Sequence, residues 1–77
     1  PKKMQSDQEK NPYLIDFGLH VQKYRKKLNI SQEELGFKAG LHRTYIGMIE
    51  RAEKNITLTN IYKIANALNI DVTDFFD

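Results

Sequence analysis

The stretch from Ser31 to Glu50 limits what this chain can become more than any other. It reads Ser31-Gln-Glu-Glu-Leu-Gly-Phe-Lys-Ala-Gly-Leu-His-Arg-Thr-Tyr-Ile-Gly-Met-Ile-Glu50, two short helical patterns meeting around Gly40. Ser31 stands before Gln32-Glu33-Glu34, a hydroxyl cap followed by acids that complement the helix dipole. Glu34 lies three residues beyond Ser31, the spacing of a reciprocal capping box. Leu35 and Ala39 share one face, and Gly40 sits where a helix terminus calls for positive φ. A second helix starts near Arg43 and runs to Glu50 or Arg51, with Ile46 and Ile49 as its inward pair. Two helices so short cannot stand alone in water, so the remaining chain must supply the surface they pack on.

The flanking sequence has the pattern to do so. Asn11-Pro12 offers a cap and a proline at the first helical position. Leu14, Phe17, Val21, Tyr24 and Leu28 then recur at spacings of three and four, one apolar stripe. Lys23, Arg25, Lys26 and Lys27 gather toward the end of that helix, as its dipole favours. Asn29 fits the stop, and Ile30 precedes the Ser31 cap as a hydrophobic staple. Gly36, inside the next helix, costs about 1 kcal/mol relative to Ala and makes sense where a neighbouring helix crosses closely. Phe37 is expected at the edge of the core. After a loop through Ala52, Glu53, Lys54 and Asn55, Thr57 or Thr59 caps a helix with Leu58, Ile61, Ile64, Ala65 and Leu68 as its stripe. Asn69 ends it, and residues 71–77 form a short fifth helix or turn. No segment alternates with period two, so no sheet is expected. Residues 1–11 are polar without apolar period and read as a flexible lead-in, in which Lys2 and Lys3 could form a minor-groove arm. Residues 12–77 read as one compact all-α domain.

Composition narrows the function classes. No cysteine is present, which excludes disulfides and cysteine-based metal sites. Neither histidine, His20 or His42, has further ligands at metal spacing, and Glu33 and Glu34 are adjacent and point apart. No glycine loop cradles a phosphate. The expectation is therefore no enzyme, no metal and no cofactor. No apolar run reaches the ~18–20 residues of a membrane span, and no signal-peptide core is visible, so a cytoplasmic location is expected. Net charge is +2, but Asp71, Asp74 and Asp77 hold three of the ten acids. Residues 1–70 thus carry twelve bases against seven acids, a balance of +5. A basic body suits a polyanionic partner, although charge alone is equally consistent with a solvated surface.

Two helices joined by a short turn containing glycine form a helix-turn-helix, whose second helix can enter a DNA major groove. Arg43, Thr44 and Tyr45 open that second helix. Arg can bond guanine O6 and N7 together, Thr offers a methyl to thymine, and Tyr can donate to phosphate or press on a base. Alone the triplet is an ordinary solvated helix start; after this turn it reads as base-reading. On the helical wheel Thr44, Gly47, Met48 and Arg51 fall opposite Ile46 and Ile49, and Gly47 would let a partner approach the backbone. Phe75 and Phe76 cannot both face inward on one short helix. One can close the core and leave the other for a partner, or both can fold back on the first helix.

Ser31 to Arg51 resembles the helix-turn-helix of phage-repressor-like (XRE-type) regulators. Ser31-Gln32-Glu33-Glu34-Leu35 is similar to that family's opening. Gly36, Gly40 and Ile46 match its small-residue, turn and apolar positions, and Tyr45 to Arg51 its recognition-helix ending. Gly-Leu-His-Arg-Thr-Tyr-Ile-Gly (40–47) is most like restriction–modification controller proteins. The resemblance implies a compact five-helix, lambda-repressor-like fold. It implies a homodimer built from the final two helices, with Ile61, Phe75 and Phe76 at the interface. It also implies binding to palindromic operators that time expression of the controller's own gene and an endonuclease gene. Two dimers on one operator and a contact with RNA polymerase are further candidates. By that likeness Arg43, Thr44 and Tyr45 read bases, and Ser31, Gln32, Lys54 and Asn55 contact phosphates. Arg25 and Glu50 form a bracing ion pair. An antitoxin or phage repressor with the same domain, and a helical protein-interaction module, remain as alternatives.

Overall fold

A computed structural model describes residues 10–77. The Lys2–Lys3 arm and most of the expected lead-in lie outside the described residues. Four α-helices follow one another: α1 (Pro12–Lys27), α2 (Gln32–Ala39), α3 (Arg43–Glu50) and α4 (Leu58–Leu68). A 3-10 helix, Val72–Phe76, stands where the fifth helix was expected, and no strand occurs among the described residues. The fifth element is thus tighter and shorter than an α-helix, as suits so brief a segment.

Side chains of the sequence start each helix. The Asn11 Oδ1 accepts from Tyr13 N at 2.8 Å, Ser31 Oγ from Glu34 N at 2.9 Å, and Thr57 Oγ1 from Asn60 N at 3.2 Å. Each satisfies one of the orphan donors a helix leaves at its first turn. All four α-helices also end in the same way. A residue in the left-handed region follows the last turn: Asn29 at φ 59°, Gly40 at 73°, Ala52 at 60° and Asn69 at 60°. The next N–H then donates back across the turn, Leu41 to Gly36 O at 2.8 Å and Glu53 to Met48 O at 2.8 Å, for example. This is the Schellman closure. Ala52 adopts it with a Cβ and no polar side chain to compensate, a strain of about 1–2 kcal/mol.

The core joins all five elements: Phe17 and Val21 from α1, Leu35 and Ala39 from α2, Ile46 and Ile49 from α3, Ile64, Ala65 and Leu68 from α4, and Phe75 from the 3-10 helix. Phe75 is fully buried, with its ring centroid 4.7 Å from that of Phe17 and 6.2 Å from that of Tyr24. Phe76 stays 62% exposed against the side of Phe17. The pair therefore divides as adjacent residues on a short helix must, one inward and one outward. Phe75, expected at a dimer interface, has no surface to give one and can only support it from beneath. Two stripe residues and one expected at the core's edge depart from expectation. Leu28 is exposed because α1 stops at Lys27, before the stripe's last position. Leu58 is exposed as the first residue of α4, beyond the end of its buried stripe. Phe37 is 87% exposed, because α3 and α4 pack on Leu35, Gly36 and Ala39 and leave its side of α2 uncovered. Gly36 meets its expectation: a Cβ there would lie 2.5 Å from Leu41 O, where the chain turns into α3.

Candidate nucleic-acid interface

The helix-turn-helix is α2, the Gly40 turn and α3. His42 caps α3, its Nδ1 accepting from Thr44 N at 3.0 Å, which requires the imidazole to be neutral with its proton on Nε2. A histidine cap carries little sequence signal, because the usual capping residues are Ser, Thr, Asp and Asn. The three residues expected to read bases open α3 in unequal settings. Arg43 and Thr44 are exposed at its first turn. Arg43 Nη1 lies 3.5 Å from Glu33 Oε2. Tyr45 is half-buried against the core, and its hydroxyl accepts from Asn60 Nδ2 of α4 at 3.0 Å. The phenolic proton is left free to donate outward. Asn60, which fixes this ring, is a residue the sequence reading passed over, because it reaches Tyr45 only through the tertiary placement of α4.

The expected brace between α1 and α3 is formed. Arg25 grips Glu50 with Nε at 2.6 Å and Nη2 at 3.1 Å, while its Nη1 donates to Ile30 O at 2.9 Å. The Glu50 side chain is 1% exposed, and Gln32 Nε2 adds a third donor at 2.9 Å. A buried carboxylate with this many donors is compensated for its lost hydration, as an unpaired one would not be. Gln32 is therefore held as part of the brace. Any contact it makes with phosphate must use its second amide proton. Ser31, Lys54 and Asn55, the other expected phosphate contacts, are exposed. Ser31 accepts its cap bond and keeps its own proton to donate.

Gly47 differs from the expectation of an open face. It is buried, and a Cβ built there would lie 3.0 Å from Arg51 Nη1 and 3.3 Å from Gln32 Oε1. The guanidinium of Arg51, one turn later, lies across the notch that Gly47 leaves. Arg51 Nε also bonds Glu53 Oε2 at 3.1 Å. That bond, more than the nearby charge of Lys10, holds the Glu53 carboxyl below its ordinary range. Lys10 Nζ itself donates to Arg51 O. The exposed face of the helix-turn-helix thus carries Arg43 at one end of α3, Arg51 at the other and Lys54 just beyond. Among the described residues no cluster of His, Cys, Asp and Glu could hold a metal, and no helix is long and apolar enough to cross a membrane.

Comparison with known proteins decides the family. Residues 21–75 match the helix-turn-helix family model HTH_3. The control protein C.BamHI of Bacillus amyloliquefaciens is 48% identical over 68 residues, covering 87% of this chain and 84% of that protein. The chain belongs to the restriction–modification controller proteins. The crystal structure of the controller C.AhdI from Aeromonas hydrophila is 41% identical and superposes with a TM-score of 0.81, over 82% of this chain and 96% of that one. The controller C.Esp1396I, solved bound to a 19-base-pair DNA duplex, is 32% identical with a TM-score of 0.80, over 86% and 88%. Controller proteins are helix-turn-helix regulators of transcription that bind DNA, and the all-α fold and exposed α3 terminus of this chain are those of such a regulator. Within that frame, Arg43 and Thr44 are exposed at the start of the second helix, Arg43 beside Glu33, while Tyr45 is tied to α4 and Arg25 and Glu50 anchor the helix from behind.

Proposed function

We propose that this controller binds a palindromic operator as a homodimer, one α3 in each of two successive major grooves. There it sets the timing of its own gene and of a neighbouring endonuclease gene. The observation that carries the reading is the exposed Arg43–Thr44 start of a helix whose back is anchored by a buried, fully bonded ion pair. A reading helix must be held rigidly to turn contacts into discrimination. Arg43, Thr44 and the Tyr45 hydroxyl supply base contacts; Ser31, Lys54, Asn55 and the second amide proton of Gln32 supply phosphate contacts, which fix register and set salt dependence. A further support comes from C.Esp1396I, solved also in forms with an adjacent threonine or tyrosine replaced. Thr44–Tyr45 is the single place in this sequence where Tyr follows Thr.

The dimer is assigned to the outer face of α4 and the 3-10 helix. Ile61 is half-buried there, with Leu58, Tyr62 and Phe76 exposed at 68%, 52% and 62%. Phe75 backs them. A two-fold interface of this kind matches a palindrome. The regulator acts by occupying DNA in the cytoplasm, without catalysis, as one dimer or two per operator and with RNA polymerase as a neighbour on the promoter. The deciding experiment is a footprint on the DNA immediately upstream of its own gene. Wild type should protect a two-fold symmetric site, and Arg43→Ala should lose on the order of 1–3 kcal/mol with relaxed preference at one base pair per half-site. Equal binding of that site and of scrambled DNA by wild type and Arg43→Ala would refute the assignment.

A further inference from the structure

Among the described residues Glu33 is the one acid whose carboxylate meets a residue assigned to base reading. At the start of α2 it shares with Glu34 the modest task of complementing the helix dipole and takes no part in the cap. The Ser31 cap serves Glu34 N, and Glu34 already places an acid in the first turn. Both Glu33 and Arg43 are largely exposed, their side chains 74% and 62%, so the pair adds little to the fold. Beside DNA a carboxylate is repelled by phosphates, and a protein selected for affinity alone would not keep one there.

The geometry points to Glu33 as a specificity-determining residue that biases Arg43 toward a base edge and away from the backbone. This rests on the reading that Arg43 contacts bases. A guanidinium has five N–H donors, and a bidentate bond to guanine O6 and N7 uses two. The remaining edge can stay with Glu33, and the guanine edge brings no charge to compete with it. On a wrong sequence the alternative partner for Arg43 is a phosphate. That contact pulls the guanidinium from Glu33 and sets two anions against each other. Glu33 therefore penalises the non-specific complex more than the specific one, discrimination achieved by a repulsive element.

The test measures wild type, Glu33→Gln, Arg43→Ala and the double variant on two duplexes of equal length, the footprinted site and its scramble, across a range of salt. Glu33→Gln should tighten the scramble about two- to fivefold, the range expected when one exposed charge pair is removed, and the footprinted site distinctly less. The specificity ratio then falls, and the effect on the ratio should vanish in the Arg43→Ala background. Thermal unfolding of Glu33→Gln should stay within a few degrees of wild type, the loss of one first-turn acid. Equal tightening of both duplexes would reduce Glu33 to a general surface charge and overturn the proposal, as would no change in either. If Arg43→Ala lowers the ratio while Glu33→Gln leaves it intact, the proposal alone fails. If Arg43→Ala leaves the ratio at its wild-type value, the reading of Arg43 fails and takes the proposal with it.

Discussion

Replacing Arg25 by Met removes the guanidinium that holds Glu50 while keeping most of the side-chain volume. The Glu50 carboxylate would then retain only the Gln32 donor at 2.9 Å, in a site where its side chain is 1% exposed. Leaving a buried charge without its partner costs about 3–5 kcal/mol, much more than the pair contributes over an apolar replacement. A small domain has only ~5–15 kcal/mol in total, so this loss is a large share. For a chain of this size each kcal/mol moves the melting midpoint by roughly 4–8 °C, and Arg25→Met should melt tens of degrees lower. Urea unfolding followed by far-ultraviolet circular dichroism measures the loss, with all variants at one protein concentration because self-association adds to apparent stability. Adding Glu50→Gln to Arg25→Met should recover much of it, since the buried group is then neutral. A loss under about 1 kcal/mol for Arg25→Met would refute the reasoning. So would a double variant less stable than Arg25→Met alone, because it would mean that the cost is not one of stranded charge.

Gly36→Ala should destabilise by about 1–3 kcal/mol despite the better helix propensity of Ala, because its Cβ would fall 2.5 Å from a backbone oxygen that cannot give way cheaply. Gly47→Ala should act in opposite directions: up to about 1 kcal/mol more stable by urea unfolding, yet weaker on DNA by fluorescence anisotropy. Its Cβ comes closest to the movable end of Arg51, whose guanidinium would be pushed from the exposed face, and more loosely to the Oε1 of the braced Gln32. Phe75→Ala should lose about 3–5 kcal/mol of stability as a core truncation. Phe76→Ala should leave unfolding of the protomer nearly unchanged and instead shift sedimentation equilibrium toward monomer.

What the sequence made legible was what short-range chemistry decides. The starts of α2 and α4 follow from Ser31 and Thr57, and their ends from Gly40 and Asn69, because caps act over three or four residues. The Arg25–Glu50 pair was reachable only through family likeness, since its partners are distant in sequence. The misreadings share a cause: a helical wheel describes one helix, whereas burial belongs to the packed set. Gly47 lies on the outward side of the wheel but is covered by a long side chain of its own helix, four residues on. Phe37 is as apolar as Phe17, yet the elements that pack on α2 approach from the other side. Gly18 drew no notice, having no motif around it, although a Cβ there would lie 2.5 Å from Ile49 O and block the crossing of α1 and α3.

The length of α3 ties recognition to stability. Eight residues are too few for a helix to persist alone in water, where even good formers need ~12–15. Its shape is imposed by Ile46 and Ile49 in the core, by the Glu50 brace and by the Tyr45–Asn60 bond to α4. Arg43 and Thr44 themselves make no core contact and rely on those anchors for their position. Asn60 in turn sits next to Ile61, on the helix assigned to the dimer. A substitution at Asn60 should therefore disturb DNA binding through the setting of Tyr45 before it disturbs folding. Asn60→Ala should keep a near wild-type melt while losing part of the affinity that Tyr45→Phe loses, and the two losses should overlap rather than add, because both remove the same bond. Fully additive losses would place Asn60 on a separate route to DNA, with no part in holding the tyrosine.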